Sequence, residues 1–464
     1  MPCEQQEGRG VPLALIVLTD GELTEKRDGQ RIGLVALLRL GQEGAFDLRG
    51  AQGDIANDPA RGGRIVRTVV LRLGALPARR RPNDAAVGWN ARRQTVDGAA
   101  MSQPWPGRPG EVVGSASDPS SRWFRAGRAF FTSRTPFRLS FFGGGTDYPQ
   151  WYRSEGGAVL STTIDKYCYI SGRWLPPFFS YSHRIVWSHI ETVSSIAEIM
   201  HPAVRQGLRM LNFTDAEGVE LHHQADLPAR TGIGSSSAFA VGLIRVLTAL
   251  RRSTPDEDLP DRETLYLKAI ALEQEWIKDA VGSQDQVATA VGGLNVIRFA
   301  PDGRITVTPL GISPDRQAAL EARLLLVYTG LSRAGPELAR QIIDNLGHRT
   351  ATLRRMQVLV DQAAALLASE DTLDGFGDML DETWALKRNL SDQVSNDRID
   401  AIYAAARQAG ARGGKLLGAG SSGFIVLYVP PERQDAVRQA LATLLEVPFR
   451  FETQGSVLMD GHWA

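Results

Sequence analysis

The chain has 464 residues, of which 43% are hydrophobic and 22% charged, a composition typical of a soluble globular protein with two or three domains. Its 52 Lys and Arg residues balance 52 Asp and Glu residues, so no overall charge favours nucleic acid or an acidic membrane surface. The two cysteines, Cys3 and Cys168, exclude a disulfide framework, and the apolar runs at 11–18 and 32–40 are too short to span a bilayer. We therefore expect a cytoplasmic protein without nucleic-acid or membrane partners.

Residues 1–126 differ in composition from the rest of the chain. They contain one lysine, Lys26, against many arginines, and they are dense in Gly, Pro and Asp. Apolar patches at 12–18 and 66–73 are separated by long polar stretches without a helical period. We expect a low-complexity Arg/Gly/Pro-rich extension that is disordered, because it buries too little apolar area to fold. The alternative is a basic arm for an acidic partner, which only the arginine bias supports.

A strand that ends in a glycine turn follows this extension. Residues 129–142 alternate as a half-buried strand does, and they run into Gly143, Gly144 and Gly145. Glycines at this point let a ligand lie against the backbone, and the nearby Asp147 can accept hydrogen bonds from sugar hydroxyls. The alternative is an ordinary turn capped by the aspartate.

Residues 157–173 predict a hairpin of two strands around a turn at Asp165 and Lys166. We interpret Lys166 as a solvated turn residue, with phosphate binding as the alternative. The histidines that follow have no metal-ligand spacing, and we interpret them as surface or structural residues: His183, His189, His201, His222 and His223.

The most informative stretch lies between a predicted strand at 219–223 and a helix. The helix is indicated by apolar side chains at helical spacing, namely Phe239, Leu243, Val246, Leu247 and Leu250. In the loop between them, Gly232 and Gly234 let the main chain approach a bulky anion. The serines at 235–237 begin the helix, where unpaired N–H groups and the positive end of the helix dipole face the same anion. The sequence therefore predicts a phosphate cradle.

This loop lacks the lysine of GxxxxGK[ST] and the spacing of GxGxxG, so it is neither a Walker loop nor a dinucleotide fingerprint. Taken alone, it could also be an ordinary strand-to-helix turn rich in small residues. The motifs elsewhere in the chain favour the cradle.

Two further segments carry candidate polar residues. Residues 262–278 have the pattern of an amphipathic helix that contains Glu273, although a glutamate on such a helix usually faces solvent. The next segment, at 281–294, reads VGSQDQVATAVGGL and contains Asp285.

The remainder of the chain predicts a second domain. An apolar strand is expected at 324–328, and helices are expected at 336–346, 352–367, 376–389 and 397–409. A glycine-rich turn before an apolar strand follows, with the sequence GGKLLGAGSSGFIVLYV at 413–429.

Together these segments resemble the GHMP kinases, the family of galactokinase, homoserine kinase and mevalonate kinase. DLPARTGIGSSSA resembles the family's ATP-binding motif, and PFRLSFFGGGTDY resembles the first motif of galactokinases. The QDQ triplet resembles the segment around their catalytic aspartate, and GGKLLGAGSSG resembles their C-terminal glycine loop. The resemblance covers roughly residues 128–464, and the motifs look most like those of bacterial D-glycero-D-manno-heptose 7-phosphate kinases.

The resemblance implies a role for each matching residue. Asp285 would be the catalytic base and Arg138 the stabiliser of transferred charge. Magnesium would be held by Glu273 and by Ser236 or its neighbour Ser235. The residues that would bind the sugar are Gly144, Gly145, Asp147 and Tyr148. Those that would bind ATP are Pro228, Gly232, Gly234, Ser235, Ser236, Ser237, Gly418 and Gly420.

The implied fold is α+β, the two-domain GHMP kinase fold. After the extension at 1–126, an N-terminal ATP-binding α/β domain with a mixed sheet would span 127–315, and a C-terminal α+β domain would span 316–464. The implied reaction is ATP- and Mg²⁺-dependent phosphorylation of a sugar phosphate, D-glycero-D-manno-heptose 7-phosphate, to heptose 1,7-bisphosphate. The alternatives are a fucose or galactose kinase of the family and a catalytically silent sensor of ATP and sugar.

Two departures from the galactokinase pattern bear on this interpretation. Gly144 and Gly145 replace a Glu-His pair, which leaves room for a larger sugar. Ser421 and Ser422 stand where glycines are usual, and they would crowd the loop if either position needs a positive φ. A sugar phosphate also needs its own cations, and at least two of five candidates should face the cleft: Lys166, Arg230, Lys387, Arg388 and Lys415.

Overall fold

The computed structural model describes residues 130–459, apart from 177, 253–256 and 332–335. Within these ranges, thirteen strands form one sheet of nine strands and one of four. In chain order the strands are β1 Phe130–Phe142, β2 Gly157–Trp174, β3 His183–Val186, β4 Ile190–Val193, β5 Val219–Ala225, β6 Asn295–Phe299, β7 Ile305–Pro309, β8 Leu324–Tyr328, β9 Gly413–Leu416, β10 Phe424–Tyr428, β11 Leu445–Glu446, β12 Phe451–Glu452 and β13 Val457–Met459.

The helices are distributed over both halves of the chain. They are α1 Pro149–Glu155, α2 Pro202–Met210, α3 Ser235–Arg251, α4 Arg262–Ala271, α5 Gln284–Val291, α6 Pro314–Glu321, α7 Pro336–Asn345, α8 Thr350–Ala368, α9 Asp374–Arg388, α10 Asp397–Ala409 and α11 Gln434–Ala440. The π-helical segment Leu272–Ile277 continues α4, and short 3₁₀ turns lie at Ile196–Glu198, Leu346–Arg349 and Pro431–Arg433. The helices expected in the second half are confirmed to within two residues at each end.

The larger sheet is built around β1 and β2, which pair antiparallel from Phe130 opposite Arg173 to Phe142 opposite Leu160. The predicted hairpin at 157–173 is wrong, because β2 is one continuous strand of 18 residues. Asp165 and Lys166 lie in a bulge, at the register shift between Pro136 and Phe137 of β1. A bulge adds unpaired residues and bends a strand without reversing it, so the polar pair marks a bend and not a turn.

The larger sheet is mixed, as expected: β3 pairs parallel with β5, whereas its other pairs are antiparallel. Helix α3 packs across β1 and β2 and is almost wholly buried, in keeping with its apolar sequence. Gly242 brings the helix close to the sheet, because a Cβ there would lie 2.8 Å from Ser133 Oγ. The N-terminus of α3 lies beside Arg138 of β1, whose N donates to Ile233 O at 3.0 Å.

The smaller sheet has the order β11-β8-β10-β9, and α9 packs on β9. The chain then returns to the larger sheet, where β12 pairs with β2 and β13 pairs with β1. The last strands of the predicted second domain thus complete the sheet of the first. The boundary near residue 315 stays a prediction, and the expected extension at 1–126 lies outside the described residues. No helix in the described ranges has the length and apolarity needed to cross a membrane.

Candidate active site

The glycine-serine loop joins β5 to α3 with two glycines in left-handed conformations. Gly232 has φ +81° and Gly234, the N-cap of α3, has φ +74°. The first helical hydrogen bond runs from Ala238 N to Gly234 O at 2.8 Å, so the N–H groups of the serines at 235–237 point out of the helix end. The arrangement is that of an anion-binding helix terminus.

The C-terminal glycine loop packs directly against this loop. A Cβ at Gly232 would lie 2.5 Å from Leu417 O, and one at Gly418 would lie 2.4 Å from Gly232 Cα. Phe424 N donates to Thr231 O at 3.2 Å. The two motifs, far apart in sequence, therefore form one surface, and both need glycine for their backbones to approach so closely.

Arg138 and Asp285 form a bidentate ion pair beneath the glycine-serine loop. Arg138 Nε donates to Asp285 Oδ1 at 2.7 Å, and Nη2 donates to Oδ2 at 2.6 Å. Arg138 Nη1 also donates to Gly232 O at 2.6 Å, and the residue is only 3% exposed. The side chain of Asp285 stays 24% exposed. A buried arginine therefore holds a carboxylate that solvent can still reach.

Asp147 ties the turn after β1 to the start of α5. Its Oδ1 accepts from Gly145 N at 2.9 Å and its Oδ2 from Gln284 N at 3.4 Å. Burial raises the pKa of this carboxyl, and the nearby Asp285 adds to the effect. Tyr148, the N-cap of α1, is buried beside it, and burial raises the pKa of its hydroxyl as well.

Glu273 is buried at the start of the π-helical segment and faces the first turn of α3. Its Oε1 accepts from Ser236 Oγ at 2.7 Å, and its Oε2 accepts from Ser237 Oγ at 2.7 Å and from Gln286 Nε2 at 2.6 Å. Burial raises the pKa of Glu273 to about 7, against the lowering effect of these three donors. Sequence reasoning missed the contact with Gln286, which the QDQ triplet could have suggested.

The oxygens of Ser236 and Glu273 fit the chemistry of a magnesium site. They are hard ligands that lie side by side, and magnesium in proteins uses one or two carboxylates together with phosphate oxygens and water. The described residues contain no cluster of three or more His, Cys, Asp or Glu side chains suited to a metal ion. A magnesium ion at this position would take its remaining ligands from water or phosphate oxygens.

Two of the five candidate cations lie inside the site. Lys387 Nζ donates to Leu416 O at 2.7 Å and to Gly418 O at 2.5 Å, and Lys415 Nζ donates to Phe141 O at 3.0 Å. Burial lowers the pKa of Lys387 well below its usual value and that of Lys415 to about 7, and the cation of Arg138 contributes to both. Each ammonium group thus supports a glycine turn of the site.

The other three candidates lie at the surface. Lys166 is paired with Asp165 at 2.8 Å and Arg388 with Asp400 at 2.9 Å. Arg230 is exposed, and its backbone N donates to Ser235 Oγ at 3.1 Å.

The serines in the C-terminal loop are accommodated in different ways. Ser421 has φ +64°, so this position does need a positive φ, and its hydroxyl donates to Gln393 O. Its backbone N donates to Val394 O at 2.8 Å, whereas Ser422 is simply buried. The hydroxyl contact offsets part of the strain that a side chain adds in this conformation.

Comparison with known proteins agrees with this geometry. The family model described as GHMP kinases N terminal domain matches residues 194–293, and the one described as GHMP kinases C terminal matches residues 363–447. The chain belongs to the GHMP kinase family. A crystal structure of a D-glycero-D-manno-heptose 1-phosphate kinase from Bacteriodes thetaiotaomicron shares the fold of this GHMP kinase, with a TM-score of 0.57 and 22% identity over 71% of this chain and 99% of that one.

Two curated relatives are similar in sequence to this GHMP kinase. A D-glycero-alpha-D-manno-heptose 7-phosphate kinase of Campylobacter jejuni is 28% identical over 67% of this chain and 92% of that protein. A bifunctional fucokinase/GDP-fucose pyrophosphorylase of Arabidopsis thaliana is 28% identical over 68% of this chain but only 32% of its own length. The α+β GHMP kinase fold expected from the motifs is confirmed, and sugar kinases are among the relatives.

Most of the predicted site residues of this GHMP kinase come together. Hydrogen bonds and close backbone approaches link Arg138, Asp285, Gly232, Gly234 and Gly418 on one side of the site. Others link Gly144, Gly145 and Asp147 to the start of α5 on the other side. Pro228 is exposed, and its carbonyl accepts from Thr231 Oγ1 at 2.7 Å, which shapes the loop.

Proposed function

We propose that this GHMP kinase works in the cytoplasm and transfers the γ-phosphoryl group of ATP to a sugar phosphate, D-glycero-D-manno-heptose 7-phosphate, to give heptose 1,7-bisphosphate. The observation that supports this most directly is the Arg138–Asp285 pair, which lies beneath a helix terminus suited to phosphates. A base, a fixed cation and an anion cradle within one site are the parts that phosphoryl transfer requires.

The roles of the residues follow from the charge that develops during transfer. The phosphoryl oxygens share the developing negative charge, and the serine N–H groups at the start of α3 together with Arg138 would neutralise it. Asp285 would orient the acceptor hydroxyl and take its proton. Because Arg138 is also anchored to Gly232 O, the carboxylate and the loop keep a fixed relative position.

Ser236 and Glu273 are the residues that would hold magnesium. When bound, the ion would supply positive charge to the phosphate oxygens of ATP. The hydrogen bond from Gln286 to Glu273 would orient the Glu273 carboxylate with or without bound magnesium.

Three observations support an acceptor that is larger than galactose and phosphorylated. Gly144 and Gly145 carry no side chains into the space where the sugar would lie. Lys387 and Lys415 are buried near Arg138 with depressed pKa values, so an anionic ligand would stabilise their charged forms. The relative from Campylobacter jejuni also carries the name of a heptose 7-phosphate kinase.

The test is ADP release by the full chain with Mg²⁺ and a panel of acceptors: heptose 7-phosphate, free heptose, fucose and galactose. We expect heptose 7-phosphate to be preferred by several kcal/mol in kcat/KM, the size that a well-matched charged group provides. If free sugars are phosphorylated as efficiently as heptose 7-phosphate, the proposal of a phosphorylated acceptor is wrong, whereas the proposal of a sugar kinase remains. No ADP release with any sugar would reject the activity.

A further inference from the structure

Two buried polar atoms beside the glycine turn at 143–145 have no hydrogen-bond partner among the described residues: Ser140 Oγ on β1 and Gln284 Oε1 on α5. Ser140 is 5% exposed and Gln284 is 8% exposed. Buried polar atoms are nearly always hydrogen-bonded, and leaving one unpaired costs stability. What sets this pair apart is that both atoms belong to side chains at one site, where a single polar group from outside the chain can satisfy both.

Both side chains border the same space over Gly144. A Cβ at that residue would lie 3.6 Å from Gln284 Nε2 and 3.6 Å from Ser140 Oγ, in ordinary contact with both. Gly144 itself is only partly buried, so the main chain beside these two side chains is reached from the surface.

The space lies next to the reacting groups. Ser140 is two residues beyond Arg138 on β1, and Gln284 precedes Asp285 on α5. Gln284 N is held by Asp147 Oδ2 at 3.4 Å, so the backbone of Gln284 is fixed while its side-chain carbonyl stays unpaired. The structural contact of this residue is made by its main chain and does not require an amide side chain.

We propose that Gln284 and Ser140 are specificity-determining residues that bind one hydroxyl group of the acceptor sugar, lying over Gly144. A sugar hydroxyl can donate to Gln284 Oε1 and accept from Ser140 Oγ at the same time, and such a group satisfies both unpaired atoms. Gly144 supplies the room, because any side chain there would occupy the place of the hydroxyl. This inference rests on the proposed sugar kinase activity and adds the residues that select the acceptor.

The test uses the full chain with Gln284→Met and Ser140→Ala, which keep most of the side-chain volume and remove the hydrogen-bonding groups. We expect Gln284→Met to lower kcat/KM for heptose 7-phosphate by about 10- to 100-fold and to leave the KM for ATP unchanged. The wild type should discriminate against one analogue of heptose 7-phosphate that lacks a single ring hydroxyl. Both variants should lose much of that discrimination.

Thermal melting separates this role from a structural one. Because the two atoms are unpaired without a sugar, neither substitution should lower the melting temperature of the sugar-free protein. Thr248→Val is the matched control, since Thr248 Oγ1 on α3 is also buried without a partner in the described structure, and its loss should leave kinetics unchanged.

Three results would overturn the inference. One is that both variants discriminate against the deoxy analogues as strongly as the wild type does. That result would reject the role of these residues but not the kinase activity. Another is a loss of kcat/KM that is matched by a fall in melting temperature, which would make the residues structural. The third is a wild-type chain that releases no ADP with any sugar, which would reject the proposed function as well.

Discussion

Asp285 combines an open carboxylate with a buried, bidentate arginine partner, a combination that suits a proton acceptor held in one orientation. In the proposed reaction, Asp285→Asn keeps the size of the side chain and one acceptor for Arg138, but it removes the proton acceptor. We expect kcat to fall by about 100-fold or more while the affinity for ATP changes little. ADP release and calorimetric titration with ATP measure the two effects. Near-normal turnover would point to a different base, and Asp165→Asn in the surface bulge serves as the control.

Lys415 is a buried cation near Arg138, at 2% exposure, and its pKa is lowered to about 7. Unfolding exposes it and restores its usual pKa, so the unfolded chain binds more protons between about pH 7 and pH 10.5. The cost of burying this group is therefore complete below about pH 7 and is relieved as the pH rises toward 10.5.

Lys415→Met should raise the melting temperature of the ligand-free protein at pH 7, and the gain over the wild type should shrink as the pH is raised to about 10. In the proposed reaction, the same substitution should also raise the KM for heptose 7-phosphate at least about tenfold, because the proposed sugar phosphate would lose a cation near its site. Melting curves across this pH range and initial rates measure both effects. A variant that is less stable by the same amount at every pH would contradict the expectation, and Lys166→Met at the surface should show neither effect.

Single residues differ in how well the sequence reveals them. Gly232, Gly234 and the serines of the glycine-serine loop could be predicted to form a turn and a helix start, because local backbone chemistry sets their conformation. The burial of Lys387 and Lys415 could not, since it depends on how α9 packs on β9 and how β9 meets the end of β1. From sequence alone, all five candidate cations were equivalent, and tertiary packing separated two of them.

At the scale of elements, apolar periodicity located the helices of the second half and the long helix α3. It failed where polar residues interrupt a strand, because a bulge and a turn share the same residue types, and β2 continues through Asp165 and Lys166. It also missed the π-helical end of α4. Glu273 lies at the start of that segment, a type of irregularity that is frequent at functional sites.

Lys278 ends the π-helical segment in a left-handed conformation, with φ +64° and an exposed side chain. Glycine adopts this conformation without strain, so Lys278→Gly should stabilise the protein by about 1 kcal/mol. Urea unfolding measures the change. The reciprocal control is Gly303→Ala, where φ is +90° and nothing lies within 4 Å of an added Cβ, so conformational strain alone should destabilise by about 1 kcal/mol. A loss of stability in Lys278→Gly would show that the lysine makes a compensating contact.

At the scale of the whole molecule, the two predicted domains are tied together by the end of the chain. Residues 451–459 leave the smaller sheet and add β12 and β13 to the larger one. Short strands of this kind carry too little pattern to be recognised in a sequence, because two or three residues do not define a period. The α+β fold with a mixed sheet could be predicted from the motifs. The return of the C-terminal strands to the larger sheet could not.

This closing segment also supports α5, the helix that carries Asp285. Ser456 N donates to Thr289 O of α5 at 3.0 Å, and Ser456 Oγ is hydrogen-bonded to Thr135 Oγ1 at 2.9 Å and to Arg245 Nε at 3.1 Å. Gly455 lies so close to α5 that an added Cβ would be 2.1 Å from Ala290 O. Asp285 lies in the first turn of the same helix, so the end of the chain also helps to hold the carboxylate that we propose as the base.

A chain that ends at Arg450 should therefore lose stability and activity together. It lacks both closing strands and the three hydrogen bonds of Ser456, and we expect a loss of several kcal/mol, a large share of the roughly 5–15 kcal/mol that stabilises a typical protein. Soluble yield, urea unfolding and ADP release measure it. A chain that begins at Ser121 is the matched control, because every motif residue lies beyond that point, and it should fold and keep its activity. If the C-terminal truncation is as stable and active as the full chain, β12 and β13 are dispensable, and α5 is held in place by the larger sheet alone.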